Sequence, residues 1–397
     1  MANKKVYFIL CVCCILCLLA ACQQAPTAVL ERKSKYQENN QMEETTLNYC
    51  TISELRQSSI DMLSFTPQNL NLPSNIDFSN VKEIDLLKLS FPVEMSSKKG
   101  EYSAIWDIPH PNWQNYEGAL QGDTGVVYEN ATEKKYFFIG NNGTISYISD
   151  QSYDDMELDM PNQITDIIYP EKENNLKIAC AIDGQTTTLI DQIQYVNTWL
   201  LRCPLLDNDY TYPIKTVYIR KRQNGTYYLS MQAQWQYKGI SLDYFGGGIE
   251  EKDGNPYVRQ MDNYINLDLT QPNQISRFNN NGMLSINASE EQTEVIDFPT
   301  AVQIVEHTLS GFQKITIADI QILYALYVDY DYTSGTKYYA ASGNTVTGTP
   351  VYSFMIEYSK DNSSIGISEG NHYCYINVNM ITGEVTTNIN EKGFTLK

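Results

Sequence analysis

The stretch Ile320-Gln321-Ile322-Leu323-Tyr324-Ala325-Leu326-Tyr327-Val328 decides the fold class near the C-terminus. Its even-numbered apolar residues alternate with more polar neighbours, which is typical of a β-strand with one buried face. The same alternation recurs at 352–358 and 374–380, and a last strand is predicted near Val385, after the turn Thr382-Gly383. These segments together predict an antiparallel meander of three or four strands.

Two other segments have the periodicity of amphipathic helices. The first spans roughly 187–202, and the second begins at Pro299 and ends before Gly311. The apolar residues that define the two faces are Leu189, Ile193, Val196, Leu200, Val302, Val305 and Leu309. Because a helix cannot bury its apolar face alone, the second helix is expected to lie across the C-terminal sheet. The predicted fold class is α+β, with antiparallel sheets that are each packed by a helix.

Asn-Gly pairs between β-rich segments predict three hairpins. Asn-Gly readily takes the positive φ angles that both central positions of a type I′ turn require. The turns are expected at Asn142-Gly143, Asn224-Gly225 and Asn281-Gly282. The strands that they are expected to join are 134–139 with 144–148, 216–220 with 227–235, and 275–278 with 283–286.

Composition places the chain among folded, acidic proteins. Its 397 residues predict two or three domains, and 42% hydrophobic residues are enough to build a core. Asp and Glu number 47 against 28 Lys and Arg, so the formal net charge is −19. This balance argues against a nucleic-acid partner, because nucleic-acid binding needs clustered cations. The same charge repels anionic lipid headgroups and polyanionic wall polymers.

The N-terminus predicts export from the cell. Lys4 and Lys5 precede an apolar run from Val6 to Ala20, which Leu19-Ala20-Ala21-Cys22 brings to an end. The run is shorter than the roughly 20 residues of a membrane-spanning helix. Small residues followed directly by Cys resemble the bacterial lipobox, a family in which the chain is cut before the Cys and the Cys is acylated.

The lipobox resemblance implies a signal peptide at 1–21 and a lipid on Cys22. The lipid would hold the protein on the extracellular face of the cell membrane. Residues 22–50 are polar and have no helical stripe, so they are predicted to form a flexible tether. The alternative is an uncleaved anchor helix in which the Cys is incidental.

No residue constellation predicts catalysis, and no metal or cofactor site is predicted. His110, His307 and His372 are far apart in the sequence and belong to no HExxH motif. After the signal peptide and Cys22, four Cys remain, without a CxxC motif or paired Cys/His spacing. A disulfide between Cys180 and Cys203 stays open at this level.

Four segments near the C-terminus resemble PepSY-like modules. In the order helix, first strand, "P-x-W-x-F" strand and closing hairpin, they are 298–306, 315–320, 350–356 and 375–385. Tyr352 stands where Trp is more usual in the family. Asn377 and Asn379 depart from the closing pattern "Y-V-D-A-x-T-G-E-V".

The order of elements is also similar to that of YycI-type regulatory proteins, which carry two such modules in tandem on an extracellular domain. The resemblance implies modules with cystatin-like curved sheets at 181–290 and 291–397. They would follow an N-terminal α+β or mostly β region at 51–180. PepSY-like modules serve in protease-inhibiting prodomains and in sensor-regulating domains, so the implied function is regulation without catalysis.

These observations lead to two hypotheses about function. The first is a membrane-anchored regulatory protein that binds a sensor or a protease, with a sheet edge available for strand addition. The alternative is a carbohydrate- or solute-binding lipoprotein, in which Trp106, Trp113 and Tyr116 form a stacking platform. The other interpretation, in which the same three rings fill the core of the N-terminal region, is the favoured one.

Overall fold

The computed structural model describes residues 46–90, 114–120, 123–140, 144–149, 163–170, 176–203, 209–246, 249–252, 255–258, 264–281, 284–310, 314–328, 345–357 and 373–387. From Leu47 onward, these residues belong to one compact unit. The predicted signal peptide, Cys22 and the tether as far as residue 45 lie outside the described residues. Tyr49 and Cys50, which the prediction includes in the tether, lie in a β-strand.

The described residues form three α-helices, one short 3₁₀-helix at Ile60–Met62, and 25 strands. The helices are α1 (Ile52–Leu55), α2 (Leu189–Arg202) and α3 (Phe298–Thr308). The strands are β1 (Tyr49–Thr51), β2 (Leu70–Asn71), β3 (Asp85–Ser90), β4 (Gln114–Leu120), β5 (Asp123–Asn130), β6 (Lys135–Gly140), β7 (Thr144–Ser149), β8 (Gln163–Ile168), β9 (Ala179–Ile182), β10 (Gln185–Thr188), β11 (Tyr210–Thr211), β12 (Ile214–Lys221), β13 (Tyr227–Gln234), β14 (Gln236–Tyr237), β15 (Ile240–Gly246), β16 (Ile249–Lys252), β17 (Asn255–Val258), β18 (Tyr264–Gln271), β19 (Gln274–Asn281), β20 (Ser285–Glu291), β21 (Glu294–Ile296), β22 (Ile315–Val328), β23 (Thr345–Glu357), β24 (Tyr373–Asn379) and β25 (Val385–Thr387).

A nine-stranded sheet has the order β4-β5-β6-β7-β19-β18-β13-β12-β8. All neighbouring strands in it are antiparallel. One face carries apolar rows, such as Tyr147, Phe278, Leu267 and Met231 on four successive strands. Residues that alternate with these point to the other face, which is much more polar.

A ten-stranded sheet contains the C-terminal strands. Its main path is β11-β14-β15-β22-β23-β24-β25, and β2, β3 and β20 join beside that path. The meander β22-β23-β24-β25 is antiparallel, as the sequence predicts. β15 and β2, however, both pair with β22 in parallel. The remaining pairs, β1-β21, β9-β10 and β16-β17, form small two-stranded sheets.

The two predicted helices are confirmed as α2 and α3, and side-chain caps fix their starts. Thr188 accepts a hydrogen bond from the N–H of Asp191, and Asp297 accepts one from the N–H of Thr300. The α2 residue Trp199 lies 5.4 Å from Phe278 of the nine-stranded sheet, measured between ring centroids.

The buried face of α3 contacts the ten-stranded sheet. The rings of Phe298 and Tyr352 lie 6.2 Å apart, and Phe78 packs 5.8 Å from Phe298. The Tyr352 hydroxyl donates a hydrogen bond to the carbonyl of Ile296 (2.8 Å), so the hydroxyl is satisfied at the position where the resemblance expects Trp. Apolar residues of both large sheets and of α2 and α3 belong to one buried cluster.

The predicted α+β class, with a helix packed on each sheet of tandem modules, is wrong. The described residues are mostly β-strand, in two large sheets and several small ones. Strands that the prediction assigns to separate modules pair with one another, since β15 joins β22, and β3 joins both β20 and β23. Alternation along a strand identifies the strand but not its partner, so this arrangement is not readable from local sequence patterns.

The hairpin predictions have three outcomes. β6 pairs with β7 and β12 pairs with β13, so the strand pairing of these two hairpins is confirmed. The turn predicted at Asn142-Gly143 in the first hairpin lies outside the described residues. In the second, the turn is a three-residue loop in which Gly225 alone has positive φ (85°), instead of a type I′ turn. The third prediction is wrong, because β19 pairs with β18 and β7 whereas β20 pairs with β3.

The described cysteines and helices add two findings. Cys180 is a free, buried thiol, so the structure has no bridge between Cys180 and Cys203. Burial raises the pKa of this thiol. No helix among the described residues is long and apolar enough to cross a membrane.

Candidate functional site

Strand β8, at one edge of the nine-stranded sheet, carries two exposed isoleucines on the same face. The register pairs Ile167 with Tyr218 and Ile164 with Arg220 of β12, and it shifts between these two pairs. The bulge at Thr165 inserts one residue into the alternation, so Ile164 and Ile167 point to the same face. Each isoleucine is 42% exposed. We call Ile164, Ile167, Tyr218 and Arg220 the β8–β12 patch.

The outer edge of β8 has features that disfavour pairing with a further strand. The hydroxyl of Thr165 donates to the carbonyl of Ile219 (3.0 Å), which anchors the bulge. A carboxylate oxygen of Asp166 accepts a hydrogen bond from the N–H of Ile167 (2.9 Å). Bulges and charged residues are common devices by which edge strands avoid edge-to-edge association. The edge of β8 is therefore poorly suited to strand addition, whereas the face that carries the patch is exposed.

Arg220 supplies the positive charge of the β8–β12 patch. Its guanidinium carbon lies 5.4 Å from the ring centroid of Tyr218, within the range of a cation–π interaction. Arg220 is half-buried, and in the described ranges no carboxylate forms an ion pair with it. By contrast, Arg277 on the same face of the sheet lies 3.7 Å from the carboxylate of Asp268.

A chain of hydrogen bonds orients Tyr218. Its hydroxyl donates to Oε1 of Gln232 (3.1 Å), and Nε2 of Gln232 donates to Oδ1 of Asn266 (3.2 Å). The chain crosses β12, β13 and β18, three neighbouring strands of one sheet. Because the hydroxyl is hydrogen-bonded and the ring is in contact with Arg220, Tyr218 has little conformational entropy left to lose if its ring becomes covered.

Motif reasoning missed the β8–β12 patch, but a charge count along the chain contains a signal for it. Residues 210–242 have no Asp or Glu, although the whole chain has 47. The cations in this segment are Lys215, Arg220, Lys221, Arg222 and Lys238. The bulge that gathers the isoleucines has no comparable signal, because it depends on the pairing of β8 with β12.

Of the residues predicted as site residues, Tyr116 alone is among the described ones. Trp106 and Trp113 lie outside the described residues, as does the lipidation site Cys22. Tyr116 lies in β4, the strand at the opposite edge of the nine-stranded sheet from β8. The stacking platform thus stays a prediction.

The histidine of α3 follows a carboxylate that makes a structural contact. His307 is exposed near the end of the helix. Its neighbour Glu306 accepts hydrogen bonds from the N–H groups of Gln68 (2.8 Å) and Asn69 (2.7 Å), so this carboxylate holds a loop. No group of three or more His, Cys, Asp or Glu with metal-binding geometry occurs in the part of the chain that the structure describes.

A second charged cluster lies in the ten-stranded sheet, around Asp85 at the start of β3. The side chain of Asp85 is 1% exposed, and its Oδ2 lies 3.0 Å from Nζ of Lys238. Lys238 also binds Glu83, and these hydrogen bonds raise the pKa of the Lys238 ammonium. The N–H of Asp85 donates to the hydroxyl of Tyr324 (3.1 Å), and burial raises the pKa of that phenol. The cluster links β3 to the turn between β14 and β15 through Lys238, so its role is structural.

Asp243 lies near the point where the chain passes from one large sheet to the other. Burial raises the pKa of its carboxyl to about 6, although a hydrogen bond from Gln234 (3.0 Å) and the charge of Lys215 both act to lower this pKa. The hydroxyl of Ser241 donates to Oε1 of Gln234 (3.0 Å) and completes the network. Gln234 belongs to β13 and Asp243 to β15, so the network links the two large sheets.

Comparison with known proteins gives a structural likeness. The fold is similar to that in the crystal structure of an uncharacterized protein from Eubacterium rectale ATCC 33656. The TM-score is 0.51 at 11% sequence identity, and the likeness covers 85% of this chain and 98% of that chain. At this identity it shows a shared fold alone. No protein-family model and no curated protein matches the sequence.

Proposed function

We propose that this protein is a lipid-anchored, extracellular interaction protein that regulates a membrane-associated partner without catalysis. The partner binds non-covalently to the β8–β12 patch. The lipobox resemblance supports the anchor on Cys22, and the PepSY-like and YycI-like resemblances support a sensor or a protease as the partner. A lipid anchor followed by a polar segment would hold the patch near other proteins of the same membrane.

One observation carries the proposal: the bulge at Thr165 brings two exposed isoleucines beside a tyrosine and an arginine. Protein interfaces are enriched in Tyr and Arg at their energetic centres. The patch combines these residues with aliphatic surface, and its tyrosine is already oriented by hydrogen bonds. An exposed group of this composition is typical of a surface that a protein partner covers.

Photo-crosslinking in cells tests this proposal on the full chain. A photo-crosslinking amino acid replaces Ile164 or Ile167, and a matched control replaces Leu201, which is 74% exposed at the end of α2. We expect light-dependent adducts to one discrete membrane-associated protein from both patch positions and none from the control. Equal adduct patterns from all three positions, or none from the patch, would contradict the proposal.

A further inference from the structure

We propose that the β8–β12 patch binds an acidic segment of the partner protein, with a carboxylate of that segment paired to Arg220. This inference rests on the proposed function and adds the chemistry of the partner. Arg220 is half-buried between Ile164 on β8 and Tyr228 on β13, which lie opposite it in the sheet. A carboxylate would form a bidentate pair with the planar guanidinium, through two parallel N–H···O hydrogen bonds.

The charges around Arg220 favour a negative partner although the chain as a whole is acidic. Arg277, which is exposed on the same face of the sheet, is paired with the carboxylate of Asp268 and adds no net positive charge, so the positive charge offered by this face is that of Arg220. Because residues 210–242 contain no acid, the β12–β13 hairpin contributes no carboxylate of its own. Complementary potentials of this kind mainly determine which partner binds and how fast.

The apolar part of the patch favours a polypeptide over another polyanion. Phosphate-rich polymers pair with arginine, but they offer no side chains to cover Ile164 and Ile167, each of which is 42% exposed. A protein segment supplies both a carboxylate and apolar atoms. The surface thus matches an acidic segment with at least one apolar residue beside its carboxylate.

The test uses the full chain in cells, with the photo-crosslinking amino acid at Ile167. Arg220→Glu is expected to lower the adduct yield at least tenfold, and Arg220→Lys, which keeps the charge, to lower it less. Lys221→Glu is the matched control, because residue 221 is adjacent in the sequence but alternates to the opposite face of β12. It should stay within about twofold of the parent, a bound that reflects the weak effect of charges outside an interface. Equal cellular amounts and protease resistance of the variants show that they fold.

Charge reversal in the partner completes the test. Mass spectrometry maps the adduct, and the mapped segment's nearest carboxylate is replaced by Lys. This change should restore the adduct in the Arg220→Glu variant. An unchanged yield in Arg220→Glu would overturn the acidic-segment inference and leave the proposed function standing. Adducts to a second copy of this chain or to a protease-resistant wall polymer would overturn it too, whereas no adduct from the parent would remove the proposed function itself.

Discussion

Lys238 and Arg220 belong to the same acid-free segment, 210–242, but the structure uses the two cations differently. Lys238 binds two carboxylates, one of them on the buried Asp85. Arg220 rests on the ring of Tyr218 and forms no ion pair with a described carboxylate. The difference indicates that the first cation stabilises the fold, whereas the second is available to a partner.

The backbone at Lys238 supports a structural role. Lys238 and Gly239 form a two-residue turn between Tyr237 and Ile240, with φ angles of 49° and 84°. Positive φ at both positions is the type I′ geometry that favours Asn-Gly, so Lys is a costly residue at the first of them. Its ion pairs with Asp85 and Glu83 offset that cost, because without Lys238 the Asp85 carboxylate would be buried with no counter-ion.

The largest expected effect is on stability, for Lys238→Met. Removal of the ammonium leaves the buried Asp85 carboxylate without a counter-ion, which should lower the free energy of unfolding by about 3 kcal/mol. Urea unfolding followed by tryptophan fluorescence measures the change. Glu83→Gln is the control, since the Glu83 side chain is 48% exposed and its ion pair is screened by solvent. A Lys238→Met variant as stable as the parent would place Lys238 in the same class as Arg220.

A smaller, pH-dependent effect is expected for Asp243→Asn. The folded-state pKa of about 6 exceeds the ordinary 3.8, so between these values the folded protein retains a proton that the unfolded chain has lost. The stability of the parent should therefore fall as the pH rises from about 4 to 6. The loss should be about 1–2 kcal/mol after allowance for partial exposure. Urea unfolding at several pH values measures it.

In Asp243→Asn this pH dependence disappears, and the variant should be the more stable protein at pH 7. The amide keeps the oxygen that accepts the hydrogen bond from Gln234, and all other groups titrate alike in both proteins. The difference between the two pH profiles consequently reports Asp243 alone. Identical pH profiles for the parent and Asp243→Asn would show that burial of the ionised Asp243 carboxylate does not lower the stability of the folded protein.

The smallest expected effect on stability is that of Arg220→Ala. Loss of the contact with Tyr218 should cost about 0.5 kcal/mol, because a cation–π interaction that solvent still reaches contributes little. The same urea titration measures it, with Lys221→Ala as the neighbouring control. A loss of several kcal/mol would give Arg220 a structural role like that of Lys238 and remove the contrast between them.

Local patterns predicted the elements well where the physical cause is itself local. The stripe Leu189, Ile193, Val196 and Leu200 predicts α2, and these residues are buried in the structure. The alternation at 320–328, 352–358 and 374–380 predicts β22, β23 and β24, which pair in sequence order. Both outcomes depend on the period of side-chain directions along one segment.

The candidate site was only partly predictable. The segment 210–242, which has no Asp or Glu, is visible in the sequence and includes both Arg220 and Lys238. Which of them meets a carboxylate depends on where residues 83 and 85 fold, more than 150 positions away along the chain. Likewise, the common face of Ile164 and Ile167 depends on a bulge against β12.

The sequence by itself determined the helices α2 and α3, the strands with clear alternation, the acidic character of the chain and the predicted lipid anchor. Only the tertiary structure decided which strands pair: β15 with β22, β20 with β3, and β19 with β7. The physical reason is that a strand's pattern specifies a buried face, whereas its neighbour is chosen by long-range packing. The β8–β12 patch is created by such a choice, because its isoleucines and its Tyr218–Arg220 pair come from strands more than 50 positions apart in the chain.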